Sequence, residues 1–278
     1  MTVSELKRAL FSKLCDVPST EYESYRIIEH FTKLKREQML TEPNMSLPDD
    51  LCQRALLCAQ KRVSGNIPLS YVLGESPFWG MNFYVSKDCL IPRSDSEFLV
   101  EYALRLIKSG DRFADLCTGS GCLAVSVLKN SENTSCTAID ISQAALEIAR
   151  KNADRHGVQA RLELVCDDVC KPRFDIMEEK YDLLISNPPY IRTAQISGLD
   201  AEVQKEPRIA LDGGKDGLDF YRAIATHWIQ SVKKGGHVLL EAGYDTTKEC
   251  AELFSSLGFE CETIRDFADI PRVVHVKI

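Results

Sequence analysis

The first part of the chain carries a repeated helical spacing of apolar side chains. Thr2 and Glu5 form a capping-box pattern, which marks the start of a helix. The apolar period predicts three amphipathic helices, over residues 2–14, 21–40 and 48–63. Gly65 and Pro68 then interrupt the period. We therefore expect a small helical domain over residues 1–70.

Aromatic residues dominate the segment that follows. Phe78-Trp79 and Phe83-Tyr84-Val85 flank a turn at Gly80, a pattern typical of two short strands joined as a hairpin. We expect residues 71–89 to form this β-hairpin linker.

From residue 90 onward, strand-like segments alternate with helical ones. Ser94 and Glu97 form a second capping-box pattern, at the start of a helix that Gly110 ends. Apolar runs predict strands over residues 113–117, 136–139, 162–165, 181–186 and 236–241, a helix over 142–156, and a closing antiparallel hairpin of strands over 259–265 and 272–278. This alternation predicts an α/β fold with a mostly parallel, doubly wound sheet over residues 90–278.

Composition narrows the class of protein. The 278 residues are 44% hydrophobic and carry a net charge of −7, which argues against a surface that grips nucleic-acid phosphates. The 11 cysteines have no paired spacing, as expected in a reducing compartment. Neither a signal peptide nor a membrane span is visible in the sequence. We expect a soluble, cytoplasmic protein.

A glycine-rich loop follows the first strand of the predicted sheet. It comprises Cys117, Thr118, Gly119, Ser120 and Gly121. The loop precedes a helix, whose free N–H groups face outward, so a ligand can approach the backbone closely. The pattern fits a site for NAD or for S-adenosylmethionine, or a purely structural turn, and does not choose among them.

Acidic residues end the next two strands at the same edge of the sheet. Asp140 ends the second strand, where a carboxylate can accept both hydroxyls of a ribose. Asp167 and Asp168 end the third strand, where they can bind an adenine amino group or act only as loop acids or helix caps. Together with the glycine loop, these residues predict a nucleoside site.

The tetrapeptide Asn187-Pro188-Pro189-Tyr190 follows the strand over residues 181–186. Two prolines cannot continue a strand, so they impose a rigid, extended turn. The Asn187 side-chain oxygen and the Pro188 carbonyl can accept both hydrogens of a planar NH₂ group, and Tyr190 can stack on its π system. The tetrapeptide therefore predicts a receptor for an amide or amino group on an sp² carbon.

With these motifs, nearly the whole chain resembles the release-factor N5-glutamine methyltransferases, the HemK/PrmC family. Further family-like stretches are Pro68-Leu69-Ser70-Tyr71-Val72-Leu73-Gly74, Phe78-Trp79, Leu90-Ile91-Pro92-Arg93 with Asp95 and Glu97, and Glu206-Pro207-Arg208-Ile209-Ala210-Leu211. The tetrapeptide also occurs in enzymes that methylate amino groups of DNA and RNA, whereas the Ile91-Pro92-Arg93 segment is more specific.

The resemblance implies a Rossmann-like class I methyltransferase that uses S-adenosylmethionine and releases S-adenosylhomocysteine. Its implied partner is a class 1 peptide release factor, whose Gly-Gly-Gln loop supplies the glutamine and which residues 1–70 would recognise. The implied donor-binding residues are Cys117, Thr118, Gly119, Ser120, Gly121, Asp140, Asp167, Asp168 and Asn187. The implied substrate-binding residues are Asn187, Pro188, Pro189 and Tyr190, with Asn187, Pro188 and Tyr190 catalytic. We expect a monomer.

The chain departs from the family pattern at several positions. Cys117 and Ala268 stand where glycine is common, Asp168 where a bulky apolar residue is common, and Ser94 where the family has proline. None of these positions lies in the acceptor tetrapeptide.

Other functions remain as alternatives. A DNA or RNA amino-methyltransferase would use the same pocket but is disfavoured by the net charge. A nicotinamide dehydrogenase would leave residues 187–190 without a role, and a non-catalytic adaptor would not need two intact sites. The five histidines have no metal-like spacing, so we expect no metal.

Overall fold

The computed structural model describes residues 1–172 and 180–278, and the chain divides into two compact units. The helical unit comprises Met1–Glu75 together with Ala201–Lys205, a short segment from much later in the chain. The sheet unit comprises Ser76–Asp200 and Glu206–Ile278.

The helical unit contains α1 (Val3–Lys13), α2 (Thr20–Thr32), α3 (Arg36–Thr41), α4 (Asp49–Gly65) and α5 (Leu69–Leu73). The predicted capping box of α1 is confirmed, because Thr2 and Glu5 exchange backbone-to-side-chain hydrogen bonds of 2.8 and 3.2 Å. The apolar faces form one core, in which Leu6, Ile27 and Ala55 are fully buried.

The single helix predicted over residues 21–40 is wrong, because the chain breaks between α2 and α3. Lys33 adopts a left-handed conformation with φ of 62°, which ends a helix. The Thr32 hydroxyl bonds back to the Ile28 carbonyl at 2.7 Å and accepts the Leu34 N–H at 3.2 Å. The apolar period continues across the break, so periodicity alone did not show it.

The sheet unit holds a two-stranded hairpin and a seven-stranded sheet. The hairpin strands are β1 (Glu75–Phe78), which starts at the last residue of the helical unit, and β2 (Met81–Tyr84). The sheet strands are β3 (Arg112–Leu116), β4 (Ser135–Asp140), β5 (Leu162–Cys166), β6 (Tyr181–Ser186), β7 (Val232–Glu241), β8 (Glu260–Arg265) and β9 (Pro271–Lys277). Their order is β5-β4-β3-β6-β7-β9-β8.

The first five strands of that order are parallel, and β9 pairs antiparallel with both β7 and β8. The predicted mostly parallel sheet and its closing hairpin are therefore confirmed. Strand order reverses between β3 and β6, and ligands of open α/β sheets bind at such a point, outside the carboxyl ends of the strands. Asp140 ends β4 and Asn187 follows β6 at this edge.

Five α-helices are described in the sheet unit. They are α6 (Glu97–Leu106), α7 (Cys122–Asn130), α8 (Gln143–His156), α9 (Asp219–Ala223) and α10 (Thr247–Ser256). Neighbouring strand residues belong to two different apolar clusters: Leu183 and Ile185 to one, and Leu184 to the other. This alternation is expected for a sheet that is covered on both faces.

The predicted capping box at Ser94 and Glu97 is wrong. Residues Ser94–Ser96 form a 3₁₀ turn without a side-chain cap, and α6 begins at Glu97. The Glu97 carboxylate instead accepts the backbone N–H of Trp79 at 2.8 Å. The helix ends at Leu106, before Gly110, because Ile107 is extended.

None of the helices among the described residues combines the length and apolar character needed to cross a bilayer.

Candidate active site

A cavity of about 210 Å³ lies at the edge where β3, β4, β5 and β6 end. Its polar wall includes Asp140, Asp168 and Asn187, and its apolar wall includes Leu90, Ile141, Val169 and Phe220. Cys117, Gly119 and Pro189 also line it. The structure thus brings together residues that lie up to 72 positions apart (117 to 189) in the predicted donor and acceptor motifs.

The glycine loop and Asp140 hold each other in place. The Asp140 carboxylate accepts the Gly119 N–H at 2.8 Å and the Ser142 N–H at 2.9 Å. Burial raises the pKa of Asp140, and both backbone hydrogen bonds oppose that rise. Each carboxylate oxygen keeps further lone-pair capacity, so Asp140 can still accept hydroxyl groups from a ligand.

Two glycines of the loop adopt conformations that side chains rarely adopt. Gly119 has φ of 55°. Gly121 has φ of 76°, and a Cβ there would approach the Ala149 Cβ to 3.0 Å. Both positions therefore favour glycine. Gly121 is also the N-cap of α7, so its lack of a side chain lets α7 and α8 approach closely.

Asp115 supports the loop from within the sheet, a role that we did not assign from the sequence. Its Oδ2 accepts the Thr118 hydroxyl at 2.6 Å and the Ala124 N–H at 3.2 Å, which ties β3 to the loop and to α7. Burial raises the pKa of Asp115 to about 7. Its position in the sequence beside the glycine loop was the signal that could have identified this supporting role.

A second, smaller cavity lies next to the main one. Thr118, Gly119 and Ser120 line it, and it shares Asn187 with the main cavity.

Cys117 takes the left-handed conformation that glycine would adopt most easily, with φ of 59°. Its side chain lines the cavity and packs against the apolar cluster that contains Leu116. Burial raises the pKa of the Cys117 thiol well above its ordinary range, so the thiol stays protonated at neutral pH. The residue therefore serves as a small apolar part of the wall.

We expect Cys117→Gly to change the free energy of unfolding by less than about 1 kcal/mol, since relief at positive φ offsets the lost contacts and the greater freedom of the unfolded chain. Cys117→Val should destabilise by about 1–3 kcal/mol, because a β-branched residue is a severe outlier at positive φ. Urea unfolding of the two variants measures the difference. Equal stabilities would contradict a backbone origin for the effect.

The two acidic residues after β5 differ in placement. Asp168 lines the cavity and its Oδ1 accepts the Cys170 N–H at 2.8 Å. Asp167 is not among the residues that line the cavity, and its backbone N–H donates to the Asp140 carbonyl at 3.1 Å. The geometry therefore offers Asp168 to a ligand directly.

Within the tetrapeptide, Asn187 and Pro189 reach the cavity. The Asn187 Nδ2 donates to the Ser96 hydroxyl at 3.0 Å, and its Oδ1 has no hydrogen bond to any described residue. Pro188 is buried and Tyr190 is partly buried, and neither is among the cavity-lining residues. Burial raises the pKa of the Tyr190 hydroxyl. Asn187 thus presents a free acceptor at the wall.

The segment around Glu206 forms another part of the wall that we did not assign from the sequence. The buried Glu206 carboxylate accepts the Ile91 N–H at 2.9 Å and pairs with Arg93. The following residues Pro207, Ile209 and Ala210 line the cavity. The stretches that contain Ile91 and Glu206 were both among the family-like motifs. That resemblance was the only signal in the sequence for this part of the wall.

Two comparisons with curated proteins decide the family. A release factor glutamine methyltransferase of Geobacter sulfurreducens is 40% identical over 76% of this chain and 73% of its own length. One from Neisseria gonorrhoeae is 36% identical over 90% of this chain and 91% of its own. The chain belongs to the release factor glutamine methyltransferases. A model of the methyltransferase small domain also matches residues 94–205.

The comparison with a solved structure concerns the fold. A methyltransferase from Pyrococcus furiosus superposes with a TM-score of 0.54 at 17% identity, over 78% of this chain and 96% of that one. The predicted Rossmann-like class I methyltransferase fold is confirmed.

Among the described residues, no group of three or more His, Cys, Asp or Glu side chains is placed to hold a metal ion.

Proposed function

We propose that this methyltransferase transfers a methyl group from S-adenosylmethionine to the side-chain amide nitrogen of a release-factor glutamine. The observation that carries the proposal is the placement of Asn187, whose free Oδ1 lies at the cavity that Asp140 and the glycine loop also form. Methyltransferases named for the release-factor glutamine that match most of this chain support the acceptor.

The residues of the cavity fit the donor. Asp140 and Asp168 offer acceptors for hydroxyl and amino groups, and Leu90, Ile141 and Val169 offer apolar surface for a flat base. Carboxylates also suit a ligand with a positive charge. S-adenosylmethionine, when bound, supplies an electrophilic methyl group on a sulfonium. In this proposal Cys117–Gly121, Asp140, Asp167 and Asp168 hold the donor.

The acceptor side of the site acts by positioning. The Asn187 Oδ1 and the Pro188 carbonyl accept the two hydrogens of the glutamine NH₂, and Tyr190 stacks on the π system of the amide. Pro188 and Pro189 keep the turn rigid. Positive charge develops on the amide nitrogen as it reacts, and two fixed acceptors stabilise that charge. An apolar wall excludes water and keeps the two reacting groups aligned.

Residues 1–70 serve release-factor recognition in this proposal. They belong to a compact unit separate from the one that contains the cavity.

A direct test incubates the protein with methyl-labelled S-adenosylmethionine and, in parallel, a purified class 1 release factor, DNA and ribosomal RNA. We expect label in the release factor only, and none when the glutamine of its Gly-Gly-Gln loop is replaced by glutamate. Label in DNA or RNA instead would overturn the proposal and favour an amino-methyltransferase of nucleic acid.

Asp140→Ala should weaken donor binding by about 1.5–3 kcal/mol, because hydrogen bonds from ligand hydroxyls to a charged carboxylate are lost. Titration calorimetry with S-adenosylmethionine measures the change. Asp154→Ala, which removes an exposed carboxylate from α8, is the matched control and should leave the affinity unaltered. Equal affinity of Asp140→Ala and wild type would remove Asp140 from the donor site.

A further inference from the structure

A positively charged side chain lies beside the proposed donor site. Arg93 lines the smaller cavity, which shares Leu90, Cys117, Gly119 and Asn187 with the main cavity. Among the described residues that line the two cavities, Arg93 is the only lysine or arginine. Its charge on its own opposes the binding of a positively charged ligand next to it.

The acidic residues of the main cavity act in the opposite direction. Asp88, Asp140 and Asp168 lie on its wall, and carboxylates stabilise a ligand with a positive charge. Arg93 works against this preference unless its own charge is balanced. The charge of its partner therefore matters for what the site binds.

Glu206 balances the charge of Arg93 from outside both cavities. Its carboxylate pairs with the Arg93 guanidinium and accepts the Ile91 N–H at 2.9 Å. The Glu206 side chain is 1% exposed and is not among the residues that line either cavity. A buried carboxylate is costly unless it is paired and hydrogen-bonded, and both partners of Glu206 come from residues 91–93, at the border of the site.

We propose that Glu206 neutralises Arg93 and thereby sets the preference of the site for the positively charged donor over the uncharged product. The inference rests on the proposed function, because S-adenosylmethionine has a sulfonium where S-adenosylhomocysteine has a neutral thioether. Glu206 acts on the ligand through Arg93, as a positioning residue. A site that favours the cation also favours release of the product after the methyl group has left.

A purely structural role for Glu206 predicts a different result. Its hydrogen bond to Ile91 ties the segment of Leu90 to the segment that contains Pro207 and Ile209, and all three of these apolar residues except Ile91 line the main cavity. Loss of that tie would weaken both ligands alike, since they share the nucleoside and the amino-acid part. Only the charge distinguishes the sulfonium from the thioether.

Glu206→Gln separates the two roles, because glutamine keeps an oxygen for the Ile91 N–H and loses the charge. Titration calorimetry with S-adenosylmethionine and with S-adenosylhomocysteine gives the donor preference, defined as the Kd of the product divided by the Kd of the donor. We expect Glu206→Gln to lower the donor preference about 3- to 10-fold, as one unpaired charge near a partly exposed site does.

Removal of the cation should reverse this effect. In the double variant Glu206→Gln/Arg93→Met no unpaired charge remains, so the donor preference should return to the wild-type value. Arg93→Met alone leaves the Glu206 carboxylate unpaired and should raise the donor preference. This single variant also carries the test if Glu206→Gln does not fold, and a donor preference at or below the wild-type value would then overturn the proposal.

The matched control is Asp182→Asn. Asp182 likewise accepts a backbone N–H, from Arg112 at 2.9 Å, and pairs with a cation, Lys233, at 2.8 Å. It lies near the start of β6, whereas the cavity lies where β6 ends. Its replacement should leave the donor preference unchanged.

Two outcomes would overturn the proposal. One is an equal loss of affinity for both ligands in Glu206→Gln, or no loss for either. The other is a lowered donor preference that Arg93→Met does not restore in the double variant. Failure of the proposed function is seen separately, as wild-type protein that binds neither ligand or does not label the release factor.

Discussion

Replacement of Asn187 by alanine should lower kcat for release-factor methylation by about 10²–10³, as expected when one preorganised polar group is lost from an active site. The contribution of Asn187 lies in the transition state, where charge develops on the acceptor nitrogen that its Oδ1 faces. Donor affinity should change little, because Asp140 and the glycine loop remain in place. Single-turnover methylation at saturating donor and release factor measures the effect.

The conservative variant Asn187→Asp sharpens this test. A carboxylate still accepts hydrogen bonds, but it adds a negative charge beside the positively charged donor and cannot donate to Ser96. We expect it to bind donor at least as tightly as wild type and to react slowly. Asn130→Ala, an exposed position at the end of α7, is the control for loss of an amide. Wild-type turnover in Asn187→Ala would make Asn187 a structural loop residue.

The edge of the sheet that holds the site could be predicted from sequence, because it follows from local patterns. Apolar runs fixed the positions of β3, β4 and β6, and parallel strands place their carboxyl ends together. Asp140 and Asn187 each follow such a run directly, so their convergence on one cavity needed no tertiary information.

The partners behind these residues could not be predicted in the same way. Ser96 lies 91 residues from Asn187, and no local pattern links the two positions. The capping box expected at Ser94 and Glu97 failed for a related reason: the Glu97 carboxylate bonds to Trp79, 18 residues away, in place of the helix start. Local motifs identify a group that can form a hydrogen bond, whereas the fold decides which partner it meets.

The helical unit depends on a contact that was likewise invisible in the sequence. Arg62 in α4 is 1% exposed and forms a forked pair with Glu23 of α2, with N–O distances of 2.9 and 3.0 Å. Arg62 also pairs with Glu202 of the segment Ala201–Lys205. The positions appear as ordinary charged residues in amphipathic helices, and only packing shows that two of them are internal.

We expect Arg62→Met to destabilise the helical unit by about 3–5 kcal/mol, because it leaves the buried Glu23 carboxylate without its cation. Amide hydrogen exchange of α1, α2 and α4 measures this change within the unit. Both tryptophans, Trp79 and Trp228, lie in the sheet unit. Their fluorescence during urea unfolding therefore serves as an internal control and should shift less.

The double variant Glu23→Leu/Arg62→Met separates the cost of an unpaired charge from the loss of packing. It replaces both charged groups by apolar side chains of similar length, a change that is often neutral or stabilising for a buried pair. We expect it to recover most of the stability lost in Arg62→Met, since Glu202 is 37% exposed and can turn to water. If the double variant were as unstable as Arg62→Met, the Arg62 stem and its contact with Glu202 would be what stabilises the unit, and the unpaired Glu23 charge would not explain the loss.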